Sequence, residues 1–217
     1  TARDVVKYAG IAASDISTVP LPLAPGFLDA AGLLEQPANK SDSYILHVGN
    51  NGYYKNREGV VRVFSRLSVS KTIRLVLDGP PPTAALEELI GALNLKYSVE
   101  FVVDPGDATL LELYSGASIF LFPSLYEGFG WPPLEAMACA CPVVCSTEGS
   151  LPEVVGDAAL TAPAADEERL ARYCTNILED PQLAKALGEK GRERAGEFTI
   201  ERMRAGLLAT YKNAMSK

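Results

Sequence analysis

The 217-residue sequence lacks a long apolar run, a basic excess and a second histidine. No apolar stretch is long enough to cross a bilayer, so no transmembrane span is predicted. Acidic residues outnumber basic ones by 27 to 20, which argues against a general nucleic-acid partner or an anionic membrane surface but leaves room for a local basic pocket. Because 47% of the residues are hydrophobic, the chain can bury a sizeable core. We expect one cytoplasmic globular domain.

The sequence also lacks a recognisable metal site. Its cysteines, Cys139, Cys141, Cys145 and Cys174, fit no zinc spacing, and one histidine cannot complete the set. We interpret the cysteines as small buried hydrophobic residues and His47, which lies in an apolar run, as a core histidine. We therefore predict neither a metal nor a cofactor.

Several common catalytic and nucleotide-binding motifs are absent. The sequence has no D-x-D, no P-loop, no H-E-x-x-H and no G-x-S-x-G. Gly128-x-Gly130 lacks the third glycine of a dinucleotide fingerprint, because Pro133 stands in its place. These absences weaken the case for a dinucleotide-dependent oxidoreductase.

From residue 44 onward the chain alternates between two patterns. Continuously apolar runs predict buried strands at Tyr44–Val48, Ile73–Leu77, Val99–Val102, Ser118–Phe122, Pro142–Cys145 and Ala158–Thr161. Helical patterns lie between them at Glu58–Leu67, Thr83–Leu93, Ala108–Ser115 and Pro132–Cys139, and three helices follow at Glu167–Glu179, Pro181–Glu197 and Thr199–Met215. Repeated βα units predict an α/β fold with a doubly wound, Rossmann-like parallel sheet and extra C-terminal helices.

Residues 1–40 are irregular, with prolines at positions 20, 22, 25 and 37. A short helix is predicted at Asp4–Ala13, followed by an extended stretch at Thr18–Gly26.

The most informative segment runs from Tyr126 to Glu135 and places two carboxylates around a glycine-rich turn. A helix that begins at Pro132 offers free N–H groups to an anion, and Glu135 would lie in its first turn. Together these groups suit a ligand with both phosphate and hydroxyl groups, such as a sugar nucleotide. The segment alone is equally compatible with a tight turn before a helix.

Ligands bind such sheets at the carboxyl ends of the strands. The loops predicted there are Gly49–Asn56, Asp78–Pro82, Val103–Asp107 and Pro123–Trp131, so all four could line one cleft.

The E-x7-E pattern of Glu127 and Glu135, inside FPSLYEGFGWPPLEAMACACPVV, resembles the signature of retaining, GT-B-fold glycosyltransferases of family 4, the glycosyl transferases group 1. Three further pieces fit the same family: GSLPEVVGDAA from Gly149, LHVG from Leu46, and Lys55-Asn56. The resemblance spans about residues 44 to 196. It implies the C-terminal, nucleotide-sugar-binding half of a GT-B fold.

The resemblance also implies a division of the chain. Residues 1–40 would be the linker from an absent N-terminal, acceptor-binding domain, and residues 41–217 the donor-binding domain. The chain begins at Thr1 rather than Met, and we expect it to be incomplete and inactive alone.

Each matching position implies a role. Lys55 would neutralise the diphosphate leaving group and Glu127 would lie near the transferred sugar, and these two are the predicted catalytic residues. Glu135 would accept hydrogen bonds from the ribose. For Lys55 the competing interpretation is a solvated surface lysine.

The remaining predicted donor contacts are mainly backbone groups. Val102 and Val103 would flank the base, and the N–H groups of the turn would hold phosphate or sugar oxygens. The full set of predicted contacts, besides the two glutamates and Lys55, is Gly49, Gly79, Val102, Val103, Gly128, Phe129, Gly130 and Leu134. For Gly79 a plain turn glycine explains the residue equally well. Ala140 departs from the family, which usually has glycine after this helix, and Arg57 is a further basic residue of the first loop.

The implied activity is transfer of a sugar from a UDP- or GDP-linked donor to an unknown acceptor, with retention and without a metal, in polysaccharide or glycan biosynthesis. A non-catalytic nucleotide-sugar-binding module is the main alternative. The partners expected are the nucleotide sugar and the acceptor domain, and peripheral membrane association of the whole enzyme stays open.

Overall fold

The computed structural model describes residues 2–24, 27–33, 43–69 and 72–216. Its centre is a six-stranded, all-parallel sheet in the order β3-β2-β1-β4-β5-β6. The strands are β1 (Tyr44–Val48), β2 (Arg74–Asp78), β3 (Val99–Val102), β4 (Ile119–Phe122), β5 (Val143–Ser146) and β6 (Leu160–Ala162). The predicted doubly wound parallel sheet is confirmed.

Ten α-helices surround the sheet in the described part of the chain. They are α1 (Ala2–Ala9), α2 (Phe27–Leu33), α3 (Arg57–Ser65), α4 (Ala84–Ala92), α5 (Asp107–Gly116), α6 (Trp131–Ala138), α7 (Leu151–Val155), α8 (Glu167–Glu179), α9 (Pro181–Ala195) and α10 (Ile200–Met215). Side-chain oxygens cap several starts, namely those of Asn56, Thr83, Asp166, Asp180 and Thr199.

Two of these helices, α2 and α7, were not predicted. Both are short, at seven and five residues, so neither displays enough turns to reveal a helical period. The first helix ends at Ala9 rather than Ala13, because Gly10 adopts φ +67°.

The core lies on both faces of the sheet. One face packs α3, α4 and α8 against strand residues such as Ile45, Leu75 and Leu121, and the other packs α5, α6 and α7 against residues such as Leu46 and Phe120. The central strands β4 and β5 are buried at every position, which explains their continuously apolar sequence.

The N-terminal segment lies against this domain. The backbone N–H of Leu23 donates to the carbonyl of Phe198 at 2.9 Å, and Val19 lies beside Gly206 of α10. Leu23 and Ala31 are both buried. The interdomain-linker role of residues 1–40 stays a prediction, and its proposed boundary after residue 40 lies outside the described residues.

Ala140 ends α6 in the left-handed conformation, with φ +52°. The N–H of Ala140 donates to the carbonyl of Met137, and the N–H of Cys141 donates to the carbonyl of Ala136, both at 2.9 Å. These two hydrogen bonds form a Schellman motif. The position normally favours glycine, because a Cβ there crowds the following carbonyl. The structure thus gives a physical cost to this departure from the family.

We predict that Ala140→Gly stabilises the protein by about 0.5–1 kcal/mol, since relief of the left-handed strain is partly offset by the greater freedom of glycine in the unfolded chain. Ala186→Gly is the matched control, because Ala186 is exposed in the middle of α9 and the same change there should cost about 1 kcal/mol. Denaturant unfolding of both variants measures the difference. Equal destabilisation by the two changes would contradict the strain.

Candidate functional site

The order in which the chain adds strands to the sheet reverses between β1 and β4. From β1 the chain continues toward β2 and β3, and from β4 it continues toward β5 and β6, so the loops after the two strands diverge and leave a crevice. In open α/β sheets this switch point is where ligands bind. The loop after β1 contains Lys55 and the loop after β4 contains Glu127.

Lys55 and Glu127 meet across this crevice. The ammonium Nζ of Lys55 lies 2.7 Å from Oε1 of Glu127, and the two side chains are only 12% and 10% exposed. The same ammonium lies 4.9 Å from the ring centroid of Phe122 and 5.3 Å from that of Tyr54. Lys55 is therefore not a solvated surface lysine, because a carboxylate and two aromatic rings enclose it.

Asn56 explains how Lys55 reaches the β4 loop. It follows a 3₁₀ turn at Tyr53–Lys55 and adopts φ +54°, a conformation that asparagine tolerates. Its Oδ1 caps α3 at Gly59, while its Nδ2 donates to the carbonyl of Pro123 at 2.9 Å. On the other side of Lys55, the N–H of Leu125 donates to the carbonyl of Tyr54 at 2.7 Å, so the two loops are joined on both sides of this lysine. The sequence reasoning treated Asn56 only as part of a resemblance and missed this double role.

Arg57 faces the other way. It is 3% exposed, and its Nη1 donates to Oδ1 of Asn51 and, at 3.0 Å, to the carbonyl of Pro80, with the guanidinium above the ring of Phe101. Burial lowers the pKa of Arg57, and the carboxylates of Glu58 and Asp78 work against that shift. Arg57 therefore ties the loop after β1 to the loop after β2.

Gly49 and Gly79 are needed where these two loops touch. Gly79 has φ +139°, and a Cβ on it would lie 2.2 Å from the carbonyl oxygen of Gly49. A Cβ on Gly49 would lie 2.9 Å from Nε2 of His47. Close packing of the two loops thus accounts for Gly79, which favours its simpler interpretation, whereas the side chain of His47 in β1 limits the space at Gly49.

The predicted base-binding residues end β3. Val102 pairs with Asp78 in the register of the sheet, and Val103, the next residue, is 46% exposed. The sheet order places them two strands from β1, on the same edge as Lys55.

Ser150 sets the direction of the glycine turn. Its Oγ lies 3.0 Å from the carbonyl oxygen of Glu127 and 2.7 Å from that of Phe129. Its backbone N–H donates to the same carbonyl oxygen of Glu127 at 3.2 Å. Because no described peptide bond is cis, the N–H groups of Gly128 and Gly130 point away from Ser150. Neither donates to an acceptor within the described residues. The turn therefore presents two free donors.

Gly149 makes this arrangement fit. It has φ +61°, and a Cβ on it would lie 2.4 Å from the carbonyl oxygen of Glu127. The sequence reasoning missed Gly149 and Ser150 as site residues. The only signal for them was the resemblance of the segment that starts at Gly149.

The side chains of Phe129 and Leu134 are committed to packing. Phe129 contacts Trp131 and Phe198 edge to face, with ring centroids 5.8 and 5.9 Å apart, and Nε1 of Trp131 donates to the carbonyl of Pro22 at 3.2 Å. Leu134 is fully buried. Their predicted contact with a ligand is thus left to their backbone groups.

Glu135 lies in the first turn of α6 and is held by a residue that the sequence reasoning missed. The hydroxyl of Tyr114 donates to Oε2 of Glu135 at 2.9 Å. Burial raises the pKa of Glu135, whereas the hydrogen bond from Tyr114 works against that shift by stabilising the carboxylate. No local motif signals this contact, because it joins α5 to α6 across 21 residues.

The histidine and cysteine interpretations are confirmed. His47 is buried, its Nδ1 lies 3.0 Å from the carbonyl of Leu121, and burial lowers its pKa to about 3, so it is neutral at pH 7. All four cysteines are buried and free. The described residues contain no cluster of His, Cys, Asp and Glu that could hold a metal, and none of their helices is long and apolar enough to cross a membrane.

Comparison with known proteins now identifies the family. The model of the glycosyl transferases group 1 matches residues 34–194. The chain belongs to this family. It is 33% identical over 173 residues to the O-antigen chain mannosyltransferase B of Escherichia coli, covering 78% of the chain and 45% of that protein.

Solved glycosyltransferase structures show the same fold. Sucrose-phosphate synthase from Thermosynechococcus elongatus superposes with a TM-score of 0.71 at 28% identity, over 92% of this chain and 51% of that one. The Anabaena protein HepE, solved in complex with UDP, gives a TM-score of 0.82 at 17% identity, over 97% and 61%. The chain thus spans about half the length of the relatives it matches. This share and its 217 residues fit the predicted half of a GT-B fold.

Proposed function

We propose that this chain is the donor-binding domain of a retaining glycosyltransferase. It binds a sugar linked to UDP or GDP and, together with an acceptor-binding domain, transfers that sugar to an acceptor in glycan biosynthesis. The observation that carries the proposal is the meeting of Lys55 and Glu127 at the switch point, beside a turn with two free N–H donors. The mannosyltransferase relative and the UDP complex of HepE support this class of activity and ligand.

The diphosphate would lie against the glycine turn. The N–H groups of Gly128 and Gly130 are fixed by the carbonyl contacts of Ser150, and Lys55 adds a full positive charge across the crevice. As the bond between sugar and phosphate breaks, negative charge grows on the leaving diphosphate. Donors that are already in place stabilise that charge without reorganisation, and in this proposal they do so without a metal.

The nucleoside would follow the edge of the sheet. Glu135 offers a carboxylate to the ribose hydroxyls, and charged acceptors form the stronger hydrogen bonds. The base would lie near Val102 and Val103. Glu127, in contact with Lys55, would lie beside the sugar and the bond that breaks, which makes it a residue of the reaction rather than a group that holds the nucleotide.

Calorimetry with UDP and GDP, each with divalent metal ions and again with EDTA in their place, tests the proposal. We expect binding of at least one nucleotide with a dissociation constant of roughly micromolar to millimolar, because one domain forms only one wall of the cleft. We also expect EDTA to leave that binding unchanged. Failure of both nucleotides to bind at millimolar concentration would refute the donor site. A strict requirement for manganese or magnesium would refute the metal-independent mechanism alone.

Because Lys55 and Glu127 form an ion pair, we predict that removing the charge of Glu127 raises the affinity for a nucleoside diphosphate. In Glu127→Gln the carboxylate that repels a diphosphate and shares the ammonium of Lys55 becomes neutral. We expect tighter nucleoside diphosphate binding by roughly fivefold to thirtyfold, or about 1–2 kcal/mol. Calorimetry measures this change, and uridine or guanosine without phosphate should show no gain.

Glu167→Gln is the matched control. Glu167 is also a partly buried carboxylate in an ion pair, with Arg62 and Arg66 at the start of α8. The substitution makes the same charge change at α8, which packs on the opposite face of the sheet from α6, so nucleotide affinity should stay constant. Weaker binding in Glu127→Gln would mean that Glu127 itself holds the nucleotide, contrary to its assigned role.

A further inference from the structure

Tyr114 occupies an unusual place for a hydroxyl group. Its side chain is fully buried in α5, where the ring packs edge to face against Phe120 with centroids 5.5 Å apart. Packing against a strand residue fixes the ring, and the ring in turn fixes the hydroxyl. That hydroxyl emerges at the carboxylate of Glu135, 2.9 Å from Oε2.

The two oxygens of Glu135 therefore differ. Oε2 accepts the hydrogen bond from Tyr114, whereas Oε1 accepts none from the described residues. Glu135 is only partly buried. The terminal torsion of a glutamate is otherwise broad, and an unheld carboxylate would lose conformational freedom on binding a ligand.

We propose that Tyr114 is a positioning residue for the nucleotide, which holds Oε2 of Glu135 so that Oε1 is presented to the ribose hydroxyls. This inference rests on the proposed function, since it needs a ribose at Glu135. Tyr114 itself does not touch the ligand. It restricts Glu135 to one orientation before the nucleotide arrives, which lowers the entropic cost of binding.

The hydroxyl also affects the pKa of Glu135. The titratable groups that face Glu135 are Tyr114 and Asp107 of α5 and Cys139 beyond the end of α6. Burial and Asp107 raise the pKa of Glu135, and the Tyr114 hydrogen bond lowers it. Without the hydroxyl the pKa rises further. Because a protonated carboxyl is a poorer acceptor, ribose binding should then fail at a higher pH as the solution is acidified.

The experiment is Tyr114→Phe, which keeps the ring and its packing. We expect about three- to tenfold weaker binding of UDP or GDP, the size of one ordinary hydrogen bond, because Glu135 itself stays in place. The loss should vanish for the 2′,3′-dideoxy nucleotide, which lacks the hydroxyls. The acid limb of the affinity profile should move to higher pH.

Tyr44→Phe is the matched control. Tyr44 also donates its hydroxyl, to the carbonyl of Leu113 at 2.7 Å in the helix that carries Tyr114, but it lies at the start of β1, at the opposite edge of the sheet from the carboxyl ends of the strands. This variant loses the same atom and should bind both nucleotides as the parent does.

A double-mutant cycle with Glu135→Gln decides between positioning and general stability. If Tyr114 acts through Glu135, the second substitution adds no further loss of affinity. Additive losses, an equal loss for the ribo and dideoxy nucleotides, or an unshifted pH profile would overturn the inference. Failure of the parent chain to bind either nucleotide is a different result, because it refutes the donor site itself.

Discussion

The contact between Lys55 and Glu127 depends on the order of the strands. These residues are separated by 72 positions in the sequence, and they meet only because β1 and β4 are neighbours at the switch point. Two mostly buried charges are costly unless they are paired, so the loops that carry them must stay in register. The bond from Leu125 N–H to the carbonyl of Tyr54, at 2.7 Å, maintains that register beside the hydrogen bond of Asn56.

Backbone groups set the rest of the site in the same way. Ser150 draws the carbonyls of Glu127 and Phe129 to one side, and the planarity of the peptide bond sends the neighbouring N–H groups to the other. Position 149 needs glycine, because a Cβ there would lie too close to the carbonyl oxygen of Glu127. The free N–H groups of the glycine turn therefore belong to the loop after β4, but the loop after β5 sets their direction.

Local sequence patterns made the strands and the long helices predictable, whereas residues that act through distant contacts were missed. Buried strands such as β4 are apolar throughout, so their positions follow from sequence to within a residue or two. The glutamates stand in a specific motif and could be assigned roles by resemblance. Tyr114 and Ser150 could not, because each acts through a contact with a distant segment, and a sequence shows neither burial nor the direction of a carbonyl.

The environments of the two glutamates support the division of labour between them. Glu127 is paired with the ammonium of Lys55, so its charge is already compensated; in the proposed reaction this pairing changes when Lys55 turns toward the leaving diphosphate. Glu135 is partly buried and paired with a neutral hydroxyl; burial raises its pKa, and the hydrogen bond from Tyr114 works against that shift. A carboxylate near the breaking bond gains from adjustable charge, whereas one that recognises a ribose gains from fixed geometry. Glu127 and Glu135 lie only eight positions apart in the sequence, but their environments differ because the glycine turn places one in the loop after β4 and the other in α6.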